Sequence, residues 1–477
     1  MPRIILAVFD GLQPTQINEK LTPNLYQYSE RACFFENHHA VFPTVTRINA
    51  ATMVTGVYPG SHGIPANSFV DKEAQGNEVI SAMEPVLSSM ANRNFPVLRS
   101  QSLQEILKLH DMEYVALGVG TSGNAYLHNS LAGKFGGATI HPDFTLPSHL
   151  YDFLNVKYGS WPATDTPNTP RYEKAMDMFI DYVLKERDPE VALIWSSEPD
   201  KCQHQFGVGD SMSNRALYEA DKQFGRLLDY IDQNQPESHL FVLSDHGYST
   251  ITESVDIKSE ILSAGFNKKT DQRDILIAPN GGSTLFYFTN LDFVMIDDFV
   301  QWIIEQPWCG SVLGSERIGD IEGTIPLKKL FLEGPRSPDI ALSFRWNDAF
   351  NANGFSGHVY SAGGLPGAGT HGSMSRYEIN NVFMCSGPLF RKSVRTLVPS
   401  GNIDLLPTML KVLGIPLREG MQGRVLVECF DDHQPLLSNT SYLQATRKVS
   451  NGTYRQELKI SDINGIVYID EGNGSLI

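Results

Sequence analysis

Residues 4–11 read IILAVFDG, a short apolar run that ends in an aspartate and a glycine. A continuous apolar run of this length is typical of a strand buried on both faces of a parallel sheet. Such a strand would carry the Asp10 carboxylate to its carboxyl end, the edge at which open α/β sheets gather their ligand sites. This stretch therefore predicts a fold class and one corner of a functional site.

Similar runs recur along the first half of the chain and alternate with helical patterns. Strand-like segments lie at 113–118, 191–195 and 239–244, and segments with helical spacing lie at 21–31, 103–109, 171–186 and 214–233. This alternation predicts an α/β fold, with a mostly parallel sheet covered by helices on both faces.

The pattern loosens after Tyr248 and returns near residue 339. We therefore expect a catalytic α/β core formed by 1–250 and 336–425, interrupted by a small cap-like subdomain at 251–335. The remainder, 426–477, alternates polar and apolar residues and predicts a strand-rich C-terminal extension.

Composition argues against several classes of function. The 477 residues carry a formal net charge of −16, which argues against a nucleic-acid polymer as partner. No apolar run of about 18 residues occurs, so no membrane span is predicted. Five widely spaced cysteines favour free thiols in a reducing compartment. Since the first strand begins almost at Met1, no signal peptide is expected and the predicted location is cytoplasmic. The oligomeric state stays open.

Residues 40–64, AVFPTVTRINAATMVTGVYPGSHGI, predict a strand-like run, a turn at Phe42-Pro43-Thr44 and then a helix. Thr46 falls in the first helical turn, where unpaired backbone N–H groups and the helix dipole favour anions. A hydroxyl there is either a helix cap or a nucleophile aimed at a phosphate. Taken alone, the position favours the cap.

Potential metal ligands occur where predicted strands end or loops begin. They are three aspartates and three histidines: Asp10, Asp200, His204, Asp245, His246 and His371. Each alone has an ordinary explanation as a turn or surface residue, but together they converge on one edge of the predicted sheet. Six ligands are too many for one tetrahedral site and divide into two sets of three. Two divalent ions form a clamp for phosphoryl transfer, and mixed Asp/His ligation suits zinc or manganese better than calcium.

Five motifs carry a resemblance to a known family: VFDGL, FPTVTRINAATMVTGVYPGSHGI, EPDKCQHQFG, SDHGY and GTHG. With them the chain resembles the alkaline phosphatase superfamily, and within it the nucleotide pyrophosphatase/phosphodiesterase family. The resemblance implies that Thr46 is a nucleophile that forms a phosphothreonine, which water then hydrolyses. It also implies that Asn49 and the Thr46 backbone N–H donate hydrogen bonds to a phosphate oxygen.

The same resemblance implies how the ligands divide between the two ions. The metal beside Thr46 would be held by Asp10, Asp245 and His246, with the Thr46 oxygen as a further ligand in the reacting form. The second metal, which activates the water, would be held by Asp200, His204 and His371.

One residue departs from the family pattern. Nucleotide-cleaving relatives commonly place an aromatic residue after the nucleophile, whereas this chain has Arg47. An arginine could stack by its guanidinium plane, pair bidentately with an anionic group of the substrate, or point to solvent. A stacking surface could instead be rebuilt from other aromatic residues, for which the sequence offers Tyr58, Tyr126 and Trp161.

The leading hypothesis is a two-metal hydrolase of phosphodiester or pyrophosphate bonds in a small-molecule substrate. The alternative keeps the site but changes the reaction to phosphonate hydrolysis, of the phosphonoacetate type, or to phosphomonoester hydrolysis, with Arg47 binding the extra negative charge. A phosphotransferase and a metal-binding module without turnover are less favoured.

Overall fold

The computed structural model describes residues 3–267, 274–431 and 436–477. Its largest sheet has nine strands. At the centre lies Ile4–Phe9, paired in parallel with His239–Leu243 on one side and with Val191–Ser196 on the other. From Val191–Ser196 the sheet continues in parallel through Tyr114–Gly118 to Ala138–Ile140.

The edges of this sheet are mixed. Phe383–Ser386 runs antiparallel to its neighbour His239–Leu243, and Thr145–Leu146 runs antiparallel at the opposite edge. Cys33–Phe35 and Val394–Thr396 complete the side beyond Phe383–Ser386. The predicted, mostly parallel sheet is confirmed.

Helices cover both faces of the central sheet because successive residues of a strand point to opposite sides. Ile5, Ala7 and Phe9 pack with one helical layer: Pro23–Arg31, His149–Tyr158, Thr169–Met178, Phe179–Arg187 and Ser211–Asn234. Ile4, Leu6 and Val8 pack with the other: Thr46–Thr55, Leu103–Lys108 and Leu405–Leu413. The predicted α/β fold class is confirmed.

A second sheet of five strands lies outside this core. In spatial order its strands are Ile275–Asn280, Ser283–Phe288, Ile340–Phe344, Cys309–Gly314 and Ile325–Pro326. Ile340–Phe344 pairs on both sides with strands of the predicted subdomain at 251–335. The predicted domain division assigns this strand to the core instead, and that division remains a prediction.

The C-terminal part forms a three-stranded antiparallel sheet of Asn439–Val449, Gly452–Ile463 and Ile466–Leu476. It is tied to the five-stranded sheet by the Gln456 side chain, which bonds to both the N–H and the carbonyl of Val312.

Short strands form three further sheets. Their members are Trp346–Phe350, Ser356–Ser361, Ser249–Ser254 and Gly369–Thr370; Asn380–Asn381, His38–His39 and Ser400–Gly401; and Ser68–Val70 with Val79–Ser81. The remaining α-helices are Pro59–His62, Lys72–Gln75, Glu84–Asn92, Ser122–His128, Asp200–Phe206, Ile257–Ser263, Phe293–Ile304 and Arg376–Ile379.

Candidate active site

The carboxyl ends of two adjacent central strands supply the first part of the site. Asp10 directly follows Ile4–Phe9, and Asp245 and His246 follow His239–Leu243 after one serine. The Gly11 N–H donates to Asp245 Oδ1 at 3.1 Å. Gly11 has a φ of +70°, and a Cβ there would lie 2.7 Å from the Tyr248 ring, so this turn requires glycine.

The helix Thr46–Thr55 supplies the second part. The apolar run at 40–42 was expected to be a strand, but the strand is His38–His39 and the chain then leaves the sheet. Val45 is the N-cap residue, and Thr46 Oγ1 lies 3.3 Å from His246 Nε2. The Thr46 hydroxyl therefore faces the polar edge of the central sheet and does not occupy the capping position.

The first ligand set surrounds His246. Its Nε2 lies 3.1 Å from Asp245 Oδ2 and 3.7 Å from Asp10 Oδ1. Within the described residues, these two carboxylate oxygens are buried without a hydrogen-bond partner. Burial, with the charges of Asp245 and Asp200, raises the pKa of Asp10 well above its ordinary value. Buried, unpartnered carboxylate oxygens beside an imidazole nitrogen fit the donor set of a divalent cation.

The second set joins a helix to a loop. Asp200 begins the helix Asp200–Phe206, His204 lies one turn later, and His371 follows the short strand Gly369–Thr370. Asp200 Oδ1 is 3.4 Å from Nε2 of each histidine, and the two Nε2 atoms are 3.1 Å apart. Burial raises the pKa of Asp200, but the two imidazoles outweigh it and the net shift is downward. These three atoms could also hold one cation.

The two sets adjoin through their histidines. The rings of His246 and His371 stack, with centroids 3.7 Å apart and planes 15° from parallel. His246 also lies close enough to Asp200 and His371 to share a cation with them. The structure thus brings together all six predicted metal ligands and Thr46.

Neighbouring side chains orient these ligands. Trp195 Nε1 donates to Asp10 Oδ2 at 3.0 Å, and the Tyr248 hydroxyl donates to Asp200 Oδ1 at 2.7 Å. His371 Nδ1 lies 2.8 Å from the Thr44 carbonyl oxygen, which directs its Nε2 toward Asp200. These supporting residues were not predicted from the sequence. Trp195 is the last residue of the predicted strand at 191–195, and Tyr248 is the last residue of the SDHGY motif. Their positions in the sequence could therefore have identified them.

The Asn49 prediction does not fit the structure. Asn49 is fully buried, and its Nδ2 donates to the Val45 and Val41 carbonyls at 3.0 and 3.4 Å. Its Oδ1 accepts from the Val41 N–H and from Asn402 Nδ2. Both amide hydrogens are therefore used to hold the chain that leads into the helix, and none is left for a phosphate oxygen.

A different asparagine, Asn67, lies beside the first turn of the helix Thr46–Thr55. Asn67 Oδ1 accepts the Arg47 N–H at 3.0 Å, which holds the Asn67 side chain beside the first helical turn. Its Nδ2 donates no hydrogen bond to any described residue, so this N–H group is available to a ligand. Asn67 is 21 positions from Thr46 (67 − 46), so local helical spacing could not have identified it.

Arg47 does not point to solvent, as one of the alternatives supposed. It is 8% exposed, its Nη2 lies 3.0 Å from Met83 Sδ, and its Nε has no hydrogen-bond partner. Within the described residues, no carboxylate comes within ion-pair distance of its guanidinium. Burial lowers the pKa of Arg47 to about 10, so the side chain is still a cation at neutral pH.

The three aromatic residues proposed as a stacking surface do not come together. Tyr58 stacks on Phe331 with centroids 4.5 Å apart, and its hydroxyl bonds to the Val467 carbonyl. Tyr126 and Trp161 pack into two other apolar clusters, on different parts of the fold.

The structure also bears on the expectations for membrane-spanning helices and for the cysteines. None of the helices formed by the described residues has the length and apolarity that crossing a bilayer requires. All five cysteines are buried and free of disulfides.

Comparison with known proteins gives a consistent family. Residues 4–287, more than half of the 477-residue chain, match the family described as type I phosphodiesterase / nucleotide pyrophosphatase. An uncharacterized pyrophosphatase/phosphodiesterase of Schizosaccharomyces pombe is 24% identical over 255 residues, which cover 53% of this chain and 46% of the yeast protein. Bis(5'-adenosyl)-triphosphatase enpp4 of Xenopus laevis is 24% identical over 262 residues, covering 54% and 49%. The chain thus aligns with about half the length of these curated relatives.

Solved structures share the fold. Human ectonucleotide pyrophosphatase / phosphodiesterase 5 superposes with a TM-score of 0.64 at 16% identity, covering 90% of this chain and 100% of that chain. An inactive threonine-to-alanine variant of the murine protein, in complex with AMP, gives 0.61 at 15% identity, covering 87% and 96%. With its family match and its fold in agreement, the chain belongs to the type I phosphodiesterase / nucleotide pyrophosphatase family, within the alkaline phosphatase superfamily.

Proposed function

We propose that the protein is a two-metal hydrolase of phosphodiester or pyrophosphate bonds in small molecules, with Thr46 as its nucleophile. The observation that carries the proposal is the position of Thr46 Oγ1, 3.3 Å from His246 at the junction of two Asp/His sets. The names of the relatives, pyrophosphatase/phosphodiesterase and bis(5'-adenosyl)-triphosphatase, support the same class of reaction.

Two divalent ions fit the site, one in each set. Asp10, Asp245 and His246 would hold the ion beside Thr46, and Asp200, His204 and His371 would hold the other. Mixed carboxylate and imidazole ligands favour zinc, with manganese as the alternative. When bound, such ions lower the pKa of a coordinated hydroxyl or water and neutralise charge on the phosphoryl group.

Thr46 would carry the phosphoryl group between two displacement steps. Its Oγ1 attacks phosphorus and loses its proton, the bond from phosphorus to the leaving oxygen breaks, and the leaving group departs with that electron pair. Water then attacks the phosphothreonine, the bond from phosphorus to Oγ1 breaks, and Thr46 regains its hydroxyl proton. The murine neighbour, inactive as a threonine-to-alanine variant, supports a threonine in this role.

Hydrogen-bond donors at the helix start would stabilise the charge that develops on the phosphoryl oxygens. The Thr46 N–H lies in the first turn, where a helix offers no carbonyl partner. Asn67 Nδ2 is presented at the same end, because its amide is anchored by the Arg47 N–H. We therefore assign to Asn67 the donor role that the sequence suggested for Asn49.

Replacement of the nucleophile tests the proposal. In zinc-loaded protein, Thr46→Ala should lower kcat on bis(4-nitrophenyl) phosphate by at least about a thousandfold, because no other hydroxyl replaces Oγ1. Thr46→Ser, which keeps a hydroxyl, is the matched control and should retain measurable turnover. An alanine variant with unchanged metal content and near-normal turnover would show that Thr46 is not the nucleophile.

A further inference from the structure

Within the part of the chain that the structure describes, the Arg47 guanidinium has no carboxylate at ion-pair distance. The residue is 8% exposed, its Nη2 donates to the thioether sulfur of Met83, and its backbone N–H donates to Asn67 Oδ1. Sulfur is a weak acceptor and carries no charge. A buried cation without an ion partner is costly, so proteins seldom keep one unless a ligand supplies the missing anion.

The two carboxylates that attract Arg47 are also candidate metal ligands. The carboxylates of Asp10 and Asp200 attract Arg47 from beyond ion-pair distance. Both belong to the sets assigned to the metal ions, and bound cations would neutralise them. In the metal-loaded protein these two carboxylates would therefore no longer compensate the charge of the guanidinium.

The position of Arg47 is fixed relative to the reacting group. It directly follows Thr46 in a helix whose residues are all buried, and its N–H is bonded to Asn67 Oδ1. An anion bound by this guanidinium would consequently lie next to the phosphorus that Thr46 attacks. The planar fork of arginine is suited to two oxygens of one phosphate or carboxylate group.

We propose that Arg47 binds a second anionic group of the substrate, a phosphate or carboxylate carried beside the scissile phosphorus. The inference rests on the proposed site and nucleophile and adds a substrate preference: the enzyme prefers phosphoanhydrides or carboxylated phosphonates over diesters with a single negative charge. The two sources share one chemistry, a two-oxygen anion that accepts from the guanidinium fork.

The test compares substrates within each variant. Turnover is measured on ATP, phosphonoacetate and bis(4-nitrophenyl) phosphate, the last of which has one negative charge. In Arg47→Gln, kcat/KM for ATP, for phosphonoacetate, or for both should fall at least about tenfold more than kcat/KM for the diester. Arg47→Lys keeps the charge but loses the fork, so its ratio should lie between those of wild type and Arg47→Gln.

The ratio of kcat/KM for two substrates, measured in one variant, does not depend on the fraction of protein that is folded. Arg215, an exposed arginine on Ser211–Asn234, provides the matched control, and Arg215→Gln should leave every ratio at the wild-type value. A selective loss on ATP identifies an anhydride phosphate as the second anion, and a selective loss on phosphonoacetate identifies a carboxylate.

The inference would be overturned if the substrate ratios of Arg47→Gln matched those of wild type, whether kcat/KM falls equally on all three substrates or does not fall at all. This result leaves the proposed function intact if Thr46→Ala abolishes turnover on the same panel. Conversely, turnover that survives in Thr46→Ala refutes the proposed function whatever the Arg47 ratios are.

Discussion

The two proposed ligand sets differ in how the fold holds them. Asp10, Asp245 and His246 follow adjacent strands of the central sheet and are at most 3% exposed. The other set combines a helix with a loop from a separate small sheet, and the His204 side chain is 45% exposed. The first set is thus fixed by the core of the fold, whereas the second depends on two elements meeting at its surface. We expect the second ion to be bound more weakly and to exchange faster.

Asp245→Asn should have the largest effect. The substitution preserves shape but removes a buried charge that faces His246 and accepts from the Gly11 N–H. Loss of the ion beside Thr46 should lower kcat/KM on bis(4-nitrophenyl) phosphate by about a thousandfold, equivalent to about 4 kcal/mol of transition-state stabilisation. Excess zinc should not restore it. Full recovery at millimolar zinc would show that the first set is no more tightly held than the second.

His204→Ala should have a smaller and reversible effect. Because this side chain is partly exposed, water can take its place in the second set. We expect affinity for the second ion to fall about 10- to 100-fold, with activity recovering as zinc is raised. The exposed His149 is a matched control, and His149→Ala should behave as wild type in the same zinc titration. A loss that excess metal cannot rescue would remove the distinction between the sets.

Acid should weaken the fold through a histidine outside both sets. Burial lowers the pKa of His62 to about 3. Its Nδ1 accepts the Ile64 N–H at 3.2 Å, so the folded protein needs the neutral ring. The unfolded chain takes up a proton below pH 6.5, so stability from this group is complete above 6.5 and is lost as pH falls toward 3.

At pH 5 this loss amounts to about 2 kcal/mol. His62→Gln, which does not titrate, should therefore lose less thermal stability than wild type between pH 7 and pH 5, measured in metal-free protein. His149→Gln, at an exposed position, should follow wild type. Parallel declines in all three proteins would exclude His62 as a source of acid sensitivity.

The central sheet could be predicted because its strands are continuous apolar runs. The run at 4–9 corresponds to the observed strand Ile4–Phe9, and the runs at 191–195 and 239–244 differ by one residue at one end. The meeting of the candidate ligands followed from the same argument, since carboxylates and imidazoles after parallel strands lie at one edge of the sheet.

Long-range pairing limited what the sequence could predict. The apolar residues at 40–42 suggested a strand, but the strand is His38–His39, which is set by partners at Asn380–Asn381 and Ser400–Gly401. The apolar pattern of Ile340–Phe344 likewise predicted a strand without indicating which sheet it joins. Asn67, which we propose as the donor in place of Asn49, could not be identified for the same reason, because helical spacing reports only local neighbours.

The location of bound metal tests the account most directly. Crystals of the zinc-loaded protein, measured at the zinc absorption edge, should show two anomalous peaks per chain. One peak should lie among Asp10, Asp245 and His246, and the other among Asp200, His204 and His371. Brief treatment with a chelator should weaken the second peak before it weakens the first. A single peak, or two peaks away from Thr46, would contradict a two-metal site built from these two parts of the fold.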